Sequence, residues 1–256
     1  MKIRLIRHAT LQIEYNGLEI LVDPMFAPRH AFGSLTIGPS ASRNPMNDLP
    51  CAISELDHPD LTILTHTHFD HFDKEAALSN IRHSPAICQP ADAPLLEACN
   101  FENIIPMANE SVSFRGITFY RTIATHGHSI LSKVMGKGSG YVLKSTNDPC
   151  VYITGDTIWN RQVAATIEQH KPQVILANCG AARFNIGAPI TMTAGDLLQI
   201  RAVSPGSLII AVHMESINHC RLGRNRLMKE LENAGMSHDV VAPADGQELP
   251  WSSGDA

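Results

Sequence analysis

The feature that most constrains this chain is a cluster of polar side chains that directly follows a buried strand. Residues 61–64, Leu-Thr-Ile-Leu, form an apolar, β-branched run typical of such a strand. Residues 65–73 then read Thr-His-Thr-His-Phe-Asp-His-Phe-Asp, which places three histidines and an aspartate within six positions. Crowded imidazoles and carboxylates resist desolvation unless a partner compensates them. A divalent cation is such a partner, because neutral imidazole and ionised carboxylate are its usual ligands. The segment therefore predicts a metal site at a strand end.

The spacing inside this segment favours two metal positions over one. Side chains two apart on a strand face the same way, so His66 and His68 can reach one metal as the strand ends. Asp70 and His71 follow on the turn, where they could address a second metal close by. Four candidate ligands do not readily close a two-metal site, so other parts of the chain are expected to supply the rest.

Three downstream positions qualify, and each comes just after a predicted strand. They are His126, Asp156 and His213. Strand ends are rigid platforms that open onto loops, where α/β proteins commonly place sites. Each position has an alternative. His128 competes with His126 and His219 with His213, while Asp156 could be only a helix N-cap.

The composition is that of an ordinary globular protein, and it argues against several classes of function. The chain has 256 residues, of which 44% are hydrophobic and 18% charged, and its formal net charge is −5. No global basic field attracts nucleic acid or an anionic membrane. No stretch approaches the roughly 20 apolar residues of a membrane span, and residues 1–15 lack the apolar core of a signal peptide. The six cysteines lie far apart without a CxxC pair, so we expect reduced thiols and a cytoplasmic location.

Short strands dominate the first half of the sequence, and strands alternate with helices in the second. Strands are predicted at residues 2–6, 11–15, 18–22, 61–64, 86–88, 111–114, 117–122, 140–144, 151–153, 174–177, 208–212 and 240–241. Helices are predicted at residues 74–80, 93–99, 161–170, 194–202 and 224–234. Asn16-Gly17 is a type I′ turn signal that joins two strands into a hairpin. No linker-like change in composition separates the halves, which favours one mixed α/β domain over residues 1–256.

Together these motifs resemble the metallo-β-lactamase-fold hydrolase superfamily. The resemblance rests on the HxHxDH block at residues 66–71, on His126, on Gly155-Asp156-Thr157 and on the strand-end His213. Residues 8–10, 21–24 and 211–215 further resemble the branch that contains ascorbate-6-phosphate lactonase and N-acyl-phosphatidylethanolamine phospholipase D. The resemblance covers roughly residues 1–245. It implies a four-layer α/β/β/α sandwich with the site at one edge of two sheets.

The resemblance also implies a division of the candidate ligands between two divalent metals. The first metal would be bound by His66, His68 and His126, and the second by Asp70, His71 and His213, with Asp156 bridging both. Zinc is expected, with manganese or iron as alternatives. Two cations roughly 3.5–4 Å apart can hold a bridging hydroxide at neutral pH. Asp70 is also a candidate catalytic residue that orients this hydroxide or takes up a proton.

Four further residues are candidates for supporting roles. Asp23 is predicted to hydrogen-bond a ligating imidazole, or else only to form an Asp-Pro turn. His8 lies near the site by the resemblance, or is only structural. Arg183, on a loop, could contact an anionic substrate or be merely solvated. His219 could contact substrate or be a hydrogen-bonded structural histidine.

The resulting hypothesis is a metal-dependent hydrolase that acts on a small-molecule lactone, ester or phosphodiester. True β-lactamases usually lack a bridging carboxylate, which argues against that activity. The alternative is an iron-dependent oxidoreductase of the persulfide-dioxygenase kind on the same fold. Nucleic acid as a partner is disfavoured by the acidic charge balance. Substrate choice is expected to depend on the loops at residues 25–49 and 180–190, since long irregular loops often line binding sites.

Overall fold

The computed structural model describes residues 1–38, 41–127, 136, 138–236 and 240–251. The strands in these ranges are β1 (Lys2–Arg7), β2 (Thr10–Tyr15), β3 (Leu18–Val22), β4 (Leu61–Ile63), β5 (Ala86–Cys88), β6 (Ile104–Pro106), β7 (Ser111–Phe114), β8 (Ile117–Ala124), β9 (Gly138–Lys144), β10 (Val151–Ile153), β11 (Val174–Asn178), β12 (Leu208–Val212), β13 (Val240–Val241) and β14 (Glu248–Pro250). The α-helices are α1 (Lys74–Leu78), α2 (Ala93–Ala98), α3 (Arg161–His170), α4 (Ala194–Val203) and α5 (Arg224–Asn233). Short 3₁₀ helices cover Ile53–Glu55 and Asn80–His83.

The strands form two seven-stranded sheets. The first has the order β14-β1-β2-β3-β4-β5-β6 and the second the order β13-β12-β11-β10-β9-β8-β7. In the first sheet β1, β2 and β3 pair antiparallel, whereas β3 to β6 pair parallel. In the second, β7 to β10 pair antiparallel and β10 to β13 parallel. The β2–β3 hairpin turns at Asn16 and Gly17 with φ of 52° and 74°, as the type I′ signal predicts.

Three layers of apolar side chains hold the sheets and helices together. One cluster lies between the two sheets, a second between the second sheet and α3 to α5, and a third between the first sheet and α1 and α2. Strand β11 shows how the sequence achieves this. Val174 and Leu176 point into the inter-sheet cluster, while Ile175 and Ala177 point into the helix-facing one, because successive side chains on a strand alternate between faces. The predicted four-layer α/β/β/α sandwich is confirmed.

Most predicted elements are present, and the differences have simple causes. Two strands were missed, β6 and β14, which occupy the edges of the first sheet and are only partly buried. Short edge strands carry little of the apolar pattern on which the prediction depends. Helix α1 ends at Leu78, before residue 80, because the chain leaves the helix at Ser79 and enters a 3₁₀ turn. The single domain over residues 1–256 stays a prediction. In the part of the chain that the structure describes, no helix has the length and apolarity to cross a bilayer.

The loop at residues 25–49 is anchored from within by one buried arginine. The guanidinium of Arg7 is fully buried and donates hydrogen bonds to the carbonyl oxygens of Met25, Ala27 and Asn47 at 2.8, 2.9 and 3.0 Å. Both ends of the loop are thereby tied to the end of β1, beside the edge where the polar cluster lies.

Candidate metal centre

The candidate ligands meet where strands of both sheets end. His66 follows β4 of the first sheet, while three others follow strands of the second sheet, namely His126 after β8, Asp156 after β10 and His213 after β12. His68 is half-buried. The remaining candidates are fully or nearly fully buried: His66, Asp70, His71, His126, Asp156 and His213. The turn after β4 is closed by amide hydrogen bonds from residues 71 and 72 to the carbonyl of His68, and Asp73 then caps α1 by accepting from the Ala76 amide at 2.8 Å.

The first group of donors is His66, His68 and His126. One nitrogen from each lies within 4.8 Å of the others, and the ring centroids are 4.4 to 5.1 Å apart. Among the described residues, Nε2 of His66 and both ring nitrogens of His126 have no hydrogen-bond partner. Buried polar atoms are normally paired. Unpaired nitrogens that converge in this way fit a cation.

The second group is His8, Asp70, His71 and His213, whose donor atoms also lie within 4.8 Å of one another. Nε2 of His71 is 3.2 Å from Nε2 of His213, and Oδ2 of Asp70 is 3.6 Å from the latter nitrogen. Two imidazole nitrogens at that separation require a shared proton or a cation between them. The resemblance implies that Asp70, His71 and His213 act together with His8 nearby, and in the structure His8 is part of the same group.

Asp156 lies between the two groups with one oxygen toward each. Its Oδ1 is 3.4 Å from Nε2 of His71 and 3.3 Å from Nε2 of His213, while its Oδ2 is 3.5 Å from Nε2 of His126. The side-chain amide of Asn178, at the end of β11, donates to Oδ1 at 2.7 Å and fixes the carboxylate. This is the arrangement that a bridging carboxylate requires.

Gly155 makes this placement of Asp156 sterically feasible. Its φ is +61°, and a Cβ there would lie 2.4 Å from the carbonyl oxygen of Ser139. Only glycine tolerates both the left-handed conformation and the close backbone approach. The chain can therefore turn sharply as β10 ends, as the sequence predicts.

The electrostatics of the group also suit a cation. Burial by itself disfavours the charged forms, but the carboxylates of Asp156, Asp23 and Asp70 together raise the pKa of His71 to about 10. Burial opposes ionisation of Asp70 and Asp156 too, yet the imidazoles of His71 and His213 hold the pKa of both carboxyls well below the usual range. A field that favours a proton on His71 this strongly would equally favour a divalent metal.

Asp23 contacts two candidate ligands, one directly and one through Thr65. Its Oδ2 lies 2.8 Å from Nδ1 of His71 and accepts from the Thr65 hydroxyl at 2.6 Å. Because the Thr65 hydroxyl proton is used there, Nδ1 of His66 donates to Thr65 Oγ1 at 3.1 Å. These bonds leave Nε2 of both imidazoles to face the centre.

Two further side chains support His213 and Asp70. The ring of His8 packs against the ring of His213 with centroids 3.7 Å apart, and His8 Nε2 is 3.3 Å from Asp70 Oδ2. Burial lowers the pKa of His8 to about 3, so the neutral ring donates its Nε2 proton to Asp70. Sγ of Cys220 lies 3.7 Å from Nδ1 of His213.

The other candidates are placed as follows. Arg183 is exposed, and its backbone amide donates to the carbonyl of His219 at 3.0 Å. His219 is buried and stacks on Phe184, with ring centroids 6.1 Å apart. His128 lies outside the described residues, so the choice between it and His126 stays a prediction.

Sequence reasoning missed Thr65, Asn178 and Cys220. A signal for Asn178 existed, because it is the polar last residue of a parallel strand next to β10, and parallel strands open their carboxyl ends onto one edge. Thr65 stood within the motif, but its hydrogen bonds depend on Asp23, which is remote in sequence. No local signal marks Cys220.

Comparison with known proteins agrees with this geometry. The family model for the beta-lactamase superfamily domain matches residues 19–214. UPF0173 protein YddR of Bacillus subtilis (strain 168) is 33% identical over 261 residues, covering 98% of this chain and 100% of the relative. UPF0173 metal-dependent hydrolase MK1542 of Methanopyrus kandleri is 23% identical over 252 residues, with 96% and 98% covered. The crystal structure of an isothiocyanate hydrolase from Delia radicum gut bacteria superposes with a TM-score of 0.91 at 33% identity, covering 99% of this chain and 100% of that one.

The chain belongs to the beta-lactamase superfamily. It is an enzyme, a metal-dependent hydrolase of the metallo-β-lactamase fold.

Proposed function

We propose that this protein is a dinuclear hydrolase in which two divalent cations, zinc foremost, activate water against a small electrophilic substrate. The observation that carries the proposal is Asp156, which directs one carboxylate oxygen to each of two histidine-rich groups. Donor atoms of His66, His71 and Asp156 also lie within 4.8 Å of one another, so Asp156 adjoins an imidazole of each group. The sub-branch resemblance to lactonases and phospholipases remains a prediction.

The residues divide naturally between the two cations. His66, His68 and His126 would hold the first, and Asp70, His71 and His213 the second. When bound, the cations supply Lewis-acid activation of water and neutralise negative charge that develops on the substrate. The metal could also be manganese or iron, since imidazole and carboxylate accept all three.

The chain itself contributes orientation and proton control. His8 donates to Oδ2 of Asp70, which restrains the rotation of that carboxylate. In this proposal Asp70 orients the attacking water or takes up its proton. Asn178 plays the corresponding part for Asp156 by fixing Oδ1. Both carboxylates are ionised at neutral pH, because their pKa values lie well below the usual range.

Four substrate classes follow from this chemistry. Lactones, esters and phosphodiesters each present an electrophilic centre that activated water can attack. The fourth is the isothiocyanate group, which the relative with a TM-score of 0.91 is named for hydrolysing. Addition of water across its carbon–nitrogen bond, followed by carbon–nitrogen cleavage, converts one isothiocyanate and one water to an amine and carbonyl sulfide.

Reconstitution of the metal-free protein tests the proposal. Zinc, manganese and iron are added separately, metal content is measured by mass spectrometry, and a panel of the four substrate classes is assayed. We expect two metals per chain and hydrolysis of at least one class. Iron-dependent redox turnover without hydrolysis would instead support an oxidoreductase and overturn the proposal.

Asp156→Asn is the decisive variant, and Asp60→Asn is its matched control. Asp60 is half-buried and pairs with Arg115 at 2.9 Å, away from the centre. We expect Asp156→Asn to lose at least one metal and to lower kcat by at least 100-fold, whereas the control keeps both. Full metal content and activity in Asp156→Asn would show that the bridging assignment is wrong.

A further inference from the structure

Two aromatic contacts border the metal centre without belonging to it. Phe69 stands between His68 and Asp70 in the sequence and is half-buried. Its ring meets that of Phe32, from the loop at residues 25–49, edge to face with centroids 4.9 Å apart and planes at 62°. None of the roles assigned above uses either ring.

The second contact joins Phe184 to His219. Their rings stack with centroids 6.1 Å apart and planes at 29°. His219 immediately precedes Cys220, whose sulfur contacts Nδ1 of His213. This stack therefore also stands beside the proposed metal ligands.

Hydrogen bonds join the segments that carry these rings. Nδ2 of Asn218 donates to Ser34 Oγ at 2.6 Å and to Thr36 Oγ1 at 2.7 Å, and its Oδ1 accepts from the Leu35 amide at 3.1 Å. Asn218 precedes His219 in the chain, so these bonds link the Phe32 loop to the segment that carries His219. Both polar atoms of the Asn218 side chain are hydrogen-bonded, and they hold the two segments together. We call the joined segments the wall.

A second amide ties the Phe32 loop to the Phe184 loop. Oδ1 of Asn185 accepts from the Ile37 amide at 3.0 Å, and Nδ2 of Asn185 donates to the Ile37 carbonyl at 2.8 Å. The rim of this joined wall includes two exposed aliphatic side chains, Ile37 at 83% and Ile186 at 89%, beside the exposed polar residues Arg183 and Asn185. Exposed aliphatic side chains next to half-buried aromatic rings are a feature of surfaces that bind apolar groups.

We propose that Phe32, Phe69, Phe184 and His219 form an apolar mouth that binds the aromatic or bulky aliphatic substituent of the substrate. The inference rests on the proposed function, because it assigns the substituent of the group hydrolysed at the metals. Contact between two aromatic rings is more favourable than burial of the same apolar area alone. The wall would offer an aryl group a matching surface, and the substrate class it would select is a small electrophile with an apolar substituent attached to the reacting group.

Binding of two carboxylates tests the mouth independently of turnover. Phenylacetate and acetate share the carboxylate, which the cations would bind, and differ only in the ring. Calorimetry with the zinc-loaded protein is expected to show phenylacetate binding at least tenfold more tightly than acetate. Phe32→Ala and Phe184→Ala should each reduce this ratio at least threefold, and Phe32→Leu should restore part of it.

Phe114→Ala is the control, because Phe114 is a partly buried phenylalanine on β7, beneath Arg115. In this variant the ratio of the acetate Kd to the phenylacetate Kd should equal that of the unaltered protein. An unchanged ratio in both Phe32→Ala and Phe184→Ala overturns the mouth while leaving the hydrolase proposal intact.

Kinetics on benzyl and methyl isothiocyanate add a second readout. In these assays Phe32→Ala and Phe184→Ala should each raise KM for benzyl isothiocyanate more than for methyl isothiocyanate. An equal rise for both compounds would count against the mouth.

Discussion

Asp23 acts on the metal centre only through other side chains, which makes it a sensitive measure of how the centre is organised. Its carboxylate holds Nδ1 of His71 and the Thr65 hydroxyl, and Thr65 in turn holds Nδ1 of His66. One residue therefore sets the orientation of an imidazole in each donor group. Such partners raise the basicity of the ligands and remove rotational freedom before the metal arrives.

Replacing Asp23 by Asn should weaken metal binding without removing a ligand. Oδ2 accepts from both the His71 imidazole and the Thr65 hydroxyl, and Oδ1 accepts from the Thr65 amide at 2.8 Å, so in either orientation the Asn side chain sets its NH2 group against at least one donor. The carboxylate charge that holds His71 is also lost. We expect zinc affinity to fall roughly 10–100-fold, as for other partners of metal-bound imidazoles. Competition with a chromophoric chelator measures it. Asp60→Asn serves as control, and equal affinities would contradict the role given to Asp23.

His219 should make stability depend on pH between about 4 and 6.5. Burial lowers its pKa from 6.5 to about 4, so the folded protein keeps the ring neutral in a range where the unfolded chain protonates it. The unfolded state then binds more protons, and the free energy of unfolding rises with pH across this window. The shift corresponds to about 3 kcal/mol lost as pH falls from 6.5 to 4.

The comparison of His219→Asn with the unaltered protein isolates this effect. Urea denaturation at several pH values should show the unaltered protein losing stability relative to the variant as pH falls. The difference should be flat above pH 7. A difference that does not vary with pH would mean that the ring is not held neutral.

At the scale of elements, apolar pattern and position in the sheet decided which segments could be predicted. Strands β10 and β12, each with a neighbour on both sides, and the helix α3 begin and end at the predicted residues, because each carries either a continuous apolar run or a clear helical stripe. Strands β6 and β14 form only because a neighbouring strand offers hydrogen-bonding groups to pair with. That kind of stabilisation is invisible in the local sequence.

The loop at residues 25–49 is an element whose stability should depend on Arg7. Replacement by methionine leaves the carbonyl oxygens of Met25, Ala27 and Asn47 without their donor in a buried setting. Loss of one partner of a buried charged contact costs roughly 3–5 kcal/mol. We expect a decrease of that size in the free energy of unfolding, measured with urea.

Arg226→Met provides the contrast for this prediction. Arg226 is exposed and pairs with Glu230 one turn along α5, at 2.8 Å. Exposed pairs of this kind contribute about 0.5 kcal/mol. A similar cost for both substitutions would show that Arg7 does not anchor the loop.

At the scale of the whole molecule, each proposed metal connects the two sheets. His66 and His68 follow β4 of the first sheet, whereas His126 follows β8 of the second. The second group divides in the same way, with Asp70 and His71 from the first sheet and His213 from the second. The metals should therefore act as cross-links between the sheets at one edge of the sandwich.

Removing the metals should accordingly lower the thermal stability of the protein. A cation present at 1,000 times its Kd adds about 4 kcal/mol to the folded state, which corresponds to a rise in Tm of roughly 8–16 °C for a chain of this size. Calorimetry before and after chelation measures the change, and added zinc should reverse it. In Asp156→Asn the change should be smaller. An unchanged Tm on chelation would argue against the cross-link.

The sequence by itself determined the layers of the fold and most of the candidate ligands. Buried strands need continuous apolar residues, so their polar exceptions at residues 66–71, 126, 156 and 213 stand out without a structure. The family resemblance implied the division of these residues between two groups, and the tertiary structure supplied the contacts, with one oxygen of Asp156 toward each group. Tertiary structure alone brought Asn178 to Asp156 and joined the loops that carry Phe32 and Phe184. The reason is physical: composition records a local need for a partner, whereas the partner is chosen by packing between segments far apart in the chain.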